Sequence, residues 1–77
     1  KLNEVNIRLP KNPSKDLMND IVELANRNKG DHSFVVHIPG ENGEERKIIS
    51  KKIKVSNNNQ FLILLRDLLG ESNVWIH

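Results

Sequence analysis

The amino-acid sequence predicts a two-layer α+β domain, a β-α-β-β-(β)-α-β sandwich with two helices on one face of a small mixed sheet. Near the N-terminus, apolar residues alternate with polar ones, as in a half-buried strand. Two later segments repeat apolar residues at helical spacing instead. Between them, an Asn42-Gly43 pair separates two β-rich runs and predicts a hairpin, because both residues accept positive φ.

The first strand and first helix follow from residues 5–30. Val5, Ile7 and Leu9 alternate with polar residues, and two prolines end the run. Ser14 is a favourable N-cap for the helix, and we expect Gly30 to end it. The helix carries an apolar stripe made of Leu17, Met18, Ile21, Val22, Leu24 and Ala25.

The middle of the chain predicts a second strand at 34–38, the hairpin, and a returning strand at 46–50. Lys51 and Lys52 are expected to bend the chain before a short continuation at 53–55. Ile48 and Ile49 are adjacent, so the pattern leaves open which of them faces the core.

The last 22 residues predict a capped helix, a stop and a strand. Asn57, with Gln60 three residues later, is the expected helix start. Gly70 is the expected stop, since positive φ costs glycine little, and residues 74–76 follow as a strand. The helical stripe is formed by Phe61, Leu62, Leu64, Leu65, Leu68 and Leu69.

Length and composition limit the function classes. Residues 1–77 form one domain, and a chain of this size buries only about 60% of its unfolded surface, which leaves little room for an enclosed active site. The chain has no cysteine, and its longest apolar run is far shorter than the roughly 20 residues of a membrane span. With no leader pattern, we expect a cytoplasmic protein without membrane contact. A start at Lys1, without Met, predicts a piece of a longer chain.

No group of residues has the spacing of a catalytic, cofactor or metal site. The three histidines are scattered, and Glu44-Glu45 lies beside basic residues in the predicted hairpin, which is typical of a solvated turn. The serines lack the context of an activated nucleophile. We therefore expect no enzymatic activity and no cofactor in these 77 residues.

The basic run of the returning strand has two interpretations. It comprises Arg46, Lys47, Lys51, Lys52 and Lys54, and could form a nucleic-acid patch. Lysine-rich strand edges also protect against aggregation, and the chain has only three aromatic residues to stack bases. At most, weak and nonspecific DNA binding is expected.

The second face of the sheet is the more informative surface. Alternation directs ten apolar residues toward the helices: Val5, Ile7, Leu9, Phe34, Val36, Ile38, Ile53, Val55, Val74 and Ile76. It directs Arg8, Val35, His37, Trp75 and one of Ile48 and Ile49 to the other face. An aromatic ring with aliphatics and an arginine is typical of a docking surface. A neighbouring domain or a loop covering this face is the alternative.

The segment Val55-Ser56, a polar gap, Leu65-x-x-Leu68-Leu69-Gly70 and Val74 resembles the extreme C-terminal domain of the bacterial replicative DNA polymerase III alpha subunit. The resemblance extends over nearly all 77 residues, although the chain ends three residues after Val74. It implies a noncatalytic module that follows an oligonucleotide-binding barrel and docks the polymerase to the tau subunit of the clamp loader.

The resemblance places the tau contact in the helix–glycine–strand ending, Leu65 to Ile76. Together with the second sheet face, this gives the partner-binding candidates, which are Arg8, Val35, His37, Arg66, Asn73, Trp75 and His77. Neighbouring domains of the parent polymerase are expected partners as well. The alternative function is a ferredoxin-like regulatory or nucleic-acid-binding domain, because this element order is shared by many functions.

Overall fold

Two helices lie on one face of a four-stranded mixed sheet in the computed structural model, which describes residues 3–77. This confirms the predicted α+β architecture. The elements are β1 (Glu4–Arg8), α1 (Lys15–Asn26), β2 (Lys29–Pro39), β3 (Glu45–Val55), α2 (Asn59–Leu69) and β4 (Val74–Ile76), with a 3-10 turn at Glu71–Asn73 before β4.

The strand order is β3-β2-β1-β4. β1 pairs in parallel with β2, while β3 pairs antiparallel with β2 and β4 pairs antiparallel with β1. A ferredoxin-like domain has a split βαβ unit, with another strand between the two parallel strands. Here β1 and β2 pair directly, so the topology differs from that of the alternative considered above.

The core lies between the sheet and the helices, as alternation predicts. Val5, Ile7 and Val55 are fully buried and pack in one cluster with Phe61 and Leu65 of α2. All ten strand residues predicted to face the helices belong to this cluster or pack against it. The burial of these side chains is the main favourable term in folding.

The returning strand is one continuous element. β3 runs from Glu45 to Val55, but its pairing with β2 shifts between Val35↔Ile49 and Ser33↔Lys54. The expected bend is therefore an irregularity inside β3, in which the Ser50 hydroxyl accepts a hydrogen bond from the Ile53 N–H (3.1 Å). The pairing also shows which of the two adjacent isoleucines faces the helices. Ile48 lies opposite Val36 on the helix side, and Ile49 lies opposite Val35 on the face away from the helices.

Two of the four predicted helix boundaries need a correction. The N-cap of α2 is Asn58, not Asn57, because the Asn58 side chain accepts a hydrogen bond from the Phe61 N–H (2.9 Å). α1 begins after Ser14 as predicted, but it ends at Asn26, before Gly30. Asn28 closes the helix end, since its side-chain N–H donates to the Leu24 carbonyl (2.8 Å).

Gly30 belongs to β2, where it serves a different purpose from the expected helix stop. A Cβ atom at this position would lie 2.7 Å from Cα of Ser56 and 2.8 Å from the carbonyl oxygen of Val55. Glycine is thus required by the close approach of the chain after β3. Gly70 does have positive φ (102°) at the end of α2, as predicted.

In the described part of the chain, residues 3–77, neither helix has the length and apolar character that a membrane span requires.

Candidate functional site

The sheet face opposite the helices is the candidate site, and we call it the open face. Strand alternation and register place its residues in adjacent rows, so that Asn6 lies between Val35 and Trp75 and Arg8 lies beside His37. The open face includes Asn6, Arg8, Val35, His37, Glu45, Lys47, Ile49 and Trp75. This confirms the predicted orientation of Arg8, Val35, His37 and Trp75.

Arg8 joins the two edges of the open face. Its Nε–H donates to a carboxylate oxygen of Glu45 (2.7 Å), and its guanidinium carbon lies 4.8 Å from the centroid of the Trp75 ring. A guanidinium over an indole face is attracted by the ring quadrupole. The hydrogen bond from Arg8 also lowers the pKa of the Glu45 carboxyl below its ordinary value.

His37 connects this pair to the centre of the sheet. Its Nε2 lies 2.8 Å from Oδ1 of Asn6, so the ring N–H donates to that oxygen. On its other side, Nδ1 is 3.3 Å from the Glu45 carboxylate, an ion pair when the imidazole is protonated. The imidazole also packs against Trp75, with ring centroids 4.9 Å apart.

Asn6 is a part of the open face that sequence reasoning missed. It is only 2% exposed, and its side-chain Nδ2 has no hydrogen-bond partner among the described residues. Its burial follows from the position of β1 inside the sheet, between β2 and β4. Leaving such a group unpaired costs about 1–3 kcal/mol, which makes Asn6 an unusual residue for a purely structural position.

Val35 and the C-terminal candidates take other roles. Val35 is fully buried, so it supports the open face without offering contact area. Arg66 donates from Nη2 to the Val74 carbonyl (3.2 Å), and Asn73 donates from Nδ2 to the Leu69 carbonyl (2.9 Å). These two side chains hold β4 against the end of α2.

His77 lies at the end of the β4 pairing, where its N–H donates to the Glu4 carbonyl (3.0 Å). Its imidazole Nδ1 is 3.5 Å from the Glu4 carboxylate, and the side chain is largely exposed. Of the four candidates taken from the chain ending, only Trp75 lies in the cluster around Arg8.

The basic residues do not gather on one surface. All five are exposed on β3, an edge strand of the sheet. Lys47 lies opposite His37 on the open face, whereas Arg46 lies opposite Ile38, on the helix side. Lys51 and Lys52 fall in the irregular part of β3. This distribution fits a charged strand edge better than a continuous nucleic-acid track.

The open face combines apolar and charged side chains. It offers a half-buried indole, the half-exposed Ile49 and a charged rim formed by Arg8 and Glu45. Within residues 3–77, no group of three or more His, Cys, Asp or Glu side chains could hold a metal ion.

A comparison of the chain with known protein families, curated proteins and solved structures finds no match.

Proposed function

We propose that this domain is a noncatalytic protein-docking module, the C-terminal part of a bacterial DNA polymerase III alpha subunit that binds the tau subunit of the clamp loader. The observation that carries the proposal is the cluster of Trp75, Arg8 and Glu45 on a sheet face that neither helix covers. Trp and Arg are the residue types that most often dominate binding energy at protein interfaces. The polymerase assignment rests on the sequence resemblance of the helix–glycine–strand ending.

The mechanism of such a module is tethering. Binding to tau would hold the polymerase near the replication fork and raise its effective local concentration without any new chemistry. The contact between Arg8 and Trp75 favours this role, because each side chain restricts the positions open to the other before a partner binds. A preorganised anchor loses less conformational entropy on binding than a mobile one.

The test is a calorimetric titration of the 77-residue chain with the C-terminal region of a bacterial tau subunit. Trp75→Ala should weaken binding by roughly 30-fold or more, which corresponds to about 2 kcal/mol. Ile63→Ala is the matched control, because Ile63 is 55% exposed on α2, away from the open face. An unchanged affinity of the Trp75 variant, or no binding by the wild-type chain, would contradict the proposal.

A second experiment separates docking from nucleic-acid binding. Replacing Lys51, Lys52 and Lys54 by Glu should leave tau binding largely intact, since these residues form a solvated strand edge. DNA binding by the wild-type chain should be weak and should disappear as salt is raised. Submicromolar, sequence-dependent binding of single-stranded DNA at about 150 mM salt would favour the alternative function instead.

A further inference from the structure

A groove between the two helices lies on the opposite side of the sheet from the open face. It has a volume of about 270 Å³ and is lined by Asp20, Glu23, Leu24, Arg27, Leu64, Asp67 and Leu68. We call it the interhelical groove. Nothing in the function proposed above uses it, so the inference stands independently of that function.

Helical spacing explains why these side chains line one groove. Asp20, Glu23 and Leu24 are three or four residues apart and therefore share one face of α1, and the C-cap residue Arg27 continues this spacing. Leu64, Asp67 and Leu68 have the same relation on α2. The core is held mainly by other positions, including Ile21 and Leu65, and Leu24 is the groove residue that packs against it.

The floor of the interhelical groove is apolar and accessible. Leu64 is 38% exposed and Leu68 is 37% exposed, while Leu24 packs partly against the core. Exposed leucines on both sides of Asp67 offer an apolar strip along α2 that a partner could bury.

The rim of the groove is acidic. Glu23 forms an ion pair with Arg27, the residue that follows α1, with a distance of 2.9 Å between the guanidinium nitrogen and the carboxylate oxygen. Asp20 and Asp67 form no ion pair with other side chains among residues 3–77. Two acidic groups on opposite helices thus flank the leucines, and neither has a cationic partner in the described part of the chain.

We propose that the interhelical groove binds a basic amphipathic helix of a protein partner. An apolar floor between two helices fits the leucine or isoleucine side chains of a third helix, which is a common mode of peptide recognition. Asp20 and Asp67 select lysine or arginine beside those apolar residues, because like charges across an interface are repelled. The domain would then have two docking surfaces, the groove on the helix side and the open face on the other.

A second copy of the chain is a poorer occupant. Its basic strand β3 carries Ile48 and Ile49, but their pairing with Val36 and Val35 directs them to opposite faces of the sheet. Only one of these isoleucines could enter a groove at a time. A helix can instead present two or three apolar side chains on one face.

The test uses a fluorescein-labelled synthetic helix with leucines at i, i+4 and i+7 and lysines beside them. Its control is the same peptide with glutamate in place of every lysine. Fluorescence anisotropy should show binding of the lysine peptide at least tenfold tighter than that of the glutamate peptide. NMR spectra of the isotope-labelled domain should show which amide signals move when the unlabelled peptide is added. These chemical-shift changes should be confined to the two helices around Leu24, Leu64 and Leu68.

Matched variants distinguish the groove from general charge attraction. Asp20→Lys with Asp67→Lys should weaken peptide binding at least tenfold. Asp31→Lys with Glu41→Lys changes the net charge equally at exposed positions outside the helices and should change affinity less than twofold. Leu68→Ala should weaken binding several-fold, while Ile63→Ala, on the same helix but outside the groove, should not.

Several outcomes would overturn the inference. These are equal binding of both peptides, equal losses in the two charge-reversed pairs, or NMR shifts centred on Trp75. A chain that dimerises in light-scattering measurements and loses its dimer on Asp20→Lys with Asp67→Lys would show that a second copy occupies the groove. If Trp75→Ala loses tau binding but binds the peptide as the wild type does, the result supports the groove as a site separate from the open face.

Discussion

Arg8 lies over the ring of Trp75, with 4.8 Å between the guanidinium carbon and the ring centroid, while its Nε–H binds the Glu45 carboxylate at 2.7 Å. One side chain on β1 thereby links β4 at one edge of the sheet to the start of β3 at the other. The three residues are separated in sequence but form a single cluster. We expect this cluster to respond as a unit to substitution.

The first prediction concerns Trp75. Because Trp75 is half-buried on the open face and outside the core cluster, Trp75→Ala should lower the free energy of unfolding by only about 1–2 kcal/mol. Phe61→Ala is the comparison, since Phe61 is fully buried and its removal should cost about 3–5 kcal/mol. Urea unfolding of both variants measures the difference. Equal losses would place Trp75 in the core.

The second prediction concerns pH. The pKa of Glu45 is lowered in the folded chain by the Arg8 hydrogen bond, from an ordinary value of 4.5. The stability that this interaction contributes is therefore present above the unfolded pKa and is lost as the pH falls through the lower folded pKa.

Glu45→Gln should thus destabilise the chain at neutral pH, and the difference from wild type should shrink as the pH falls below the ordinary carboxyl pKa. Urea midpoints measured across the acidic range give this curve. Glu41→Gln is the control, because Glu41 is exposed in the hairpin turn. If the difference in stability between the wild type and Glu45→Gln were the same at every pH, the Arg8–Glu45 contact would not form in solution.

The sequence was sufficient to predict what alternation determines. The period of two in Val5, Ile7 and Leu9 assigns these side chains to the helix side, and the structure confirms it. The same period put Arg8, His37 and Trp75 together on the other face. These assignments need no knowledge of strand order, because each follows from the local pattern of its own strand.

The contacts between strands could not be predicted in this way. Burial of Asn6 and the pairing of Arg8 with Glu45 depend on the order β3-β2-β1-β4, which no local pattern encodes. The N-cap of α2 could not be predicted from the local sequence either, since each of three adjacent asparagines is able to cap a helix. Packing of Phe61 into the core selects Asn58 among them.

The third prediction distinguishes these asparagines. The Asn58 side chain accepts the Phe61 N–H and also donates to the Ser56 hydroxyl (3.0 Å). Asn58→Ala should therefore cost about 1 kcal/mol of unfolding free energy, as is usual for a lost N-cap. Asn57→Ala should change it by less than about 0.5 kcal/mol, because Asn57 is exposed and does not cap α2. If Asn57→Ala lost more unfolding free energy than Asn58→Ala, Asn57 would be the N-cap of α2.

The last prediction sets two effects of opposite sign against each other at Gly30. Its φ is not positive, so an alanine could adopt the same backbone conformation. By that criterion alone, Gly30→Ala would stabilise the chain by about 0.4–1 kcal/mol, because it restricts the unfolded state. The space around Gly30 opposes this. The added Cβ would lie 2.7 Å from the backbone nitrogen of Ser56, and a backbone atom cannot move aside as a flexible side chain can.

The steric effect should win, because it also disturbs the hydrogen bond from the Ser56 N–H to the Asn28 carbonyl (2.7 Å). We expect Gly30→Ala to cost about 1–3 kcal/mol, the usual range for overpacking with backbone shifts. Gly43→Asn is the matched control, because Gly43 has φ of 85° and open space around it, and asparagine tolerates positive φ. Thermal and urea unfolding of the two variants decide the sign. If Gly30→Ala is stabilising, the chain does not approach Ser56 closely at this point.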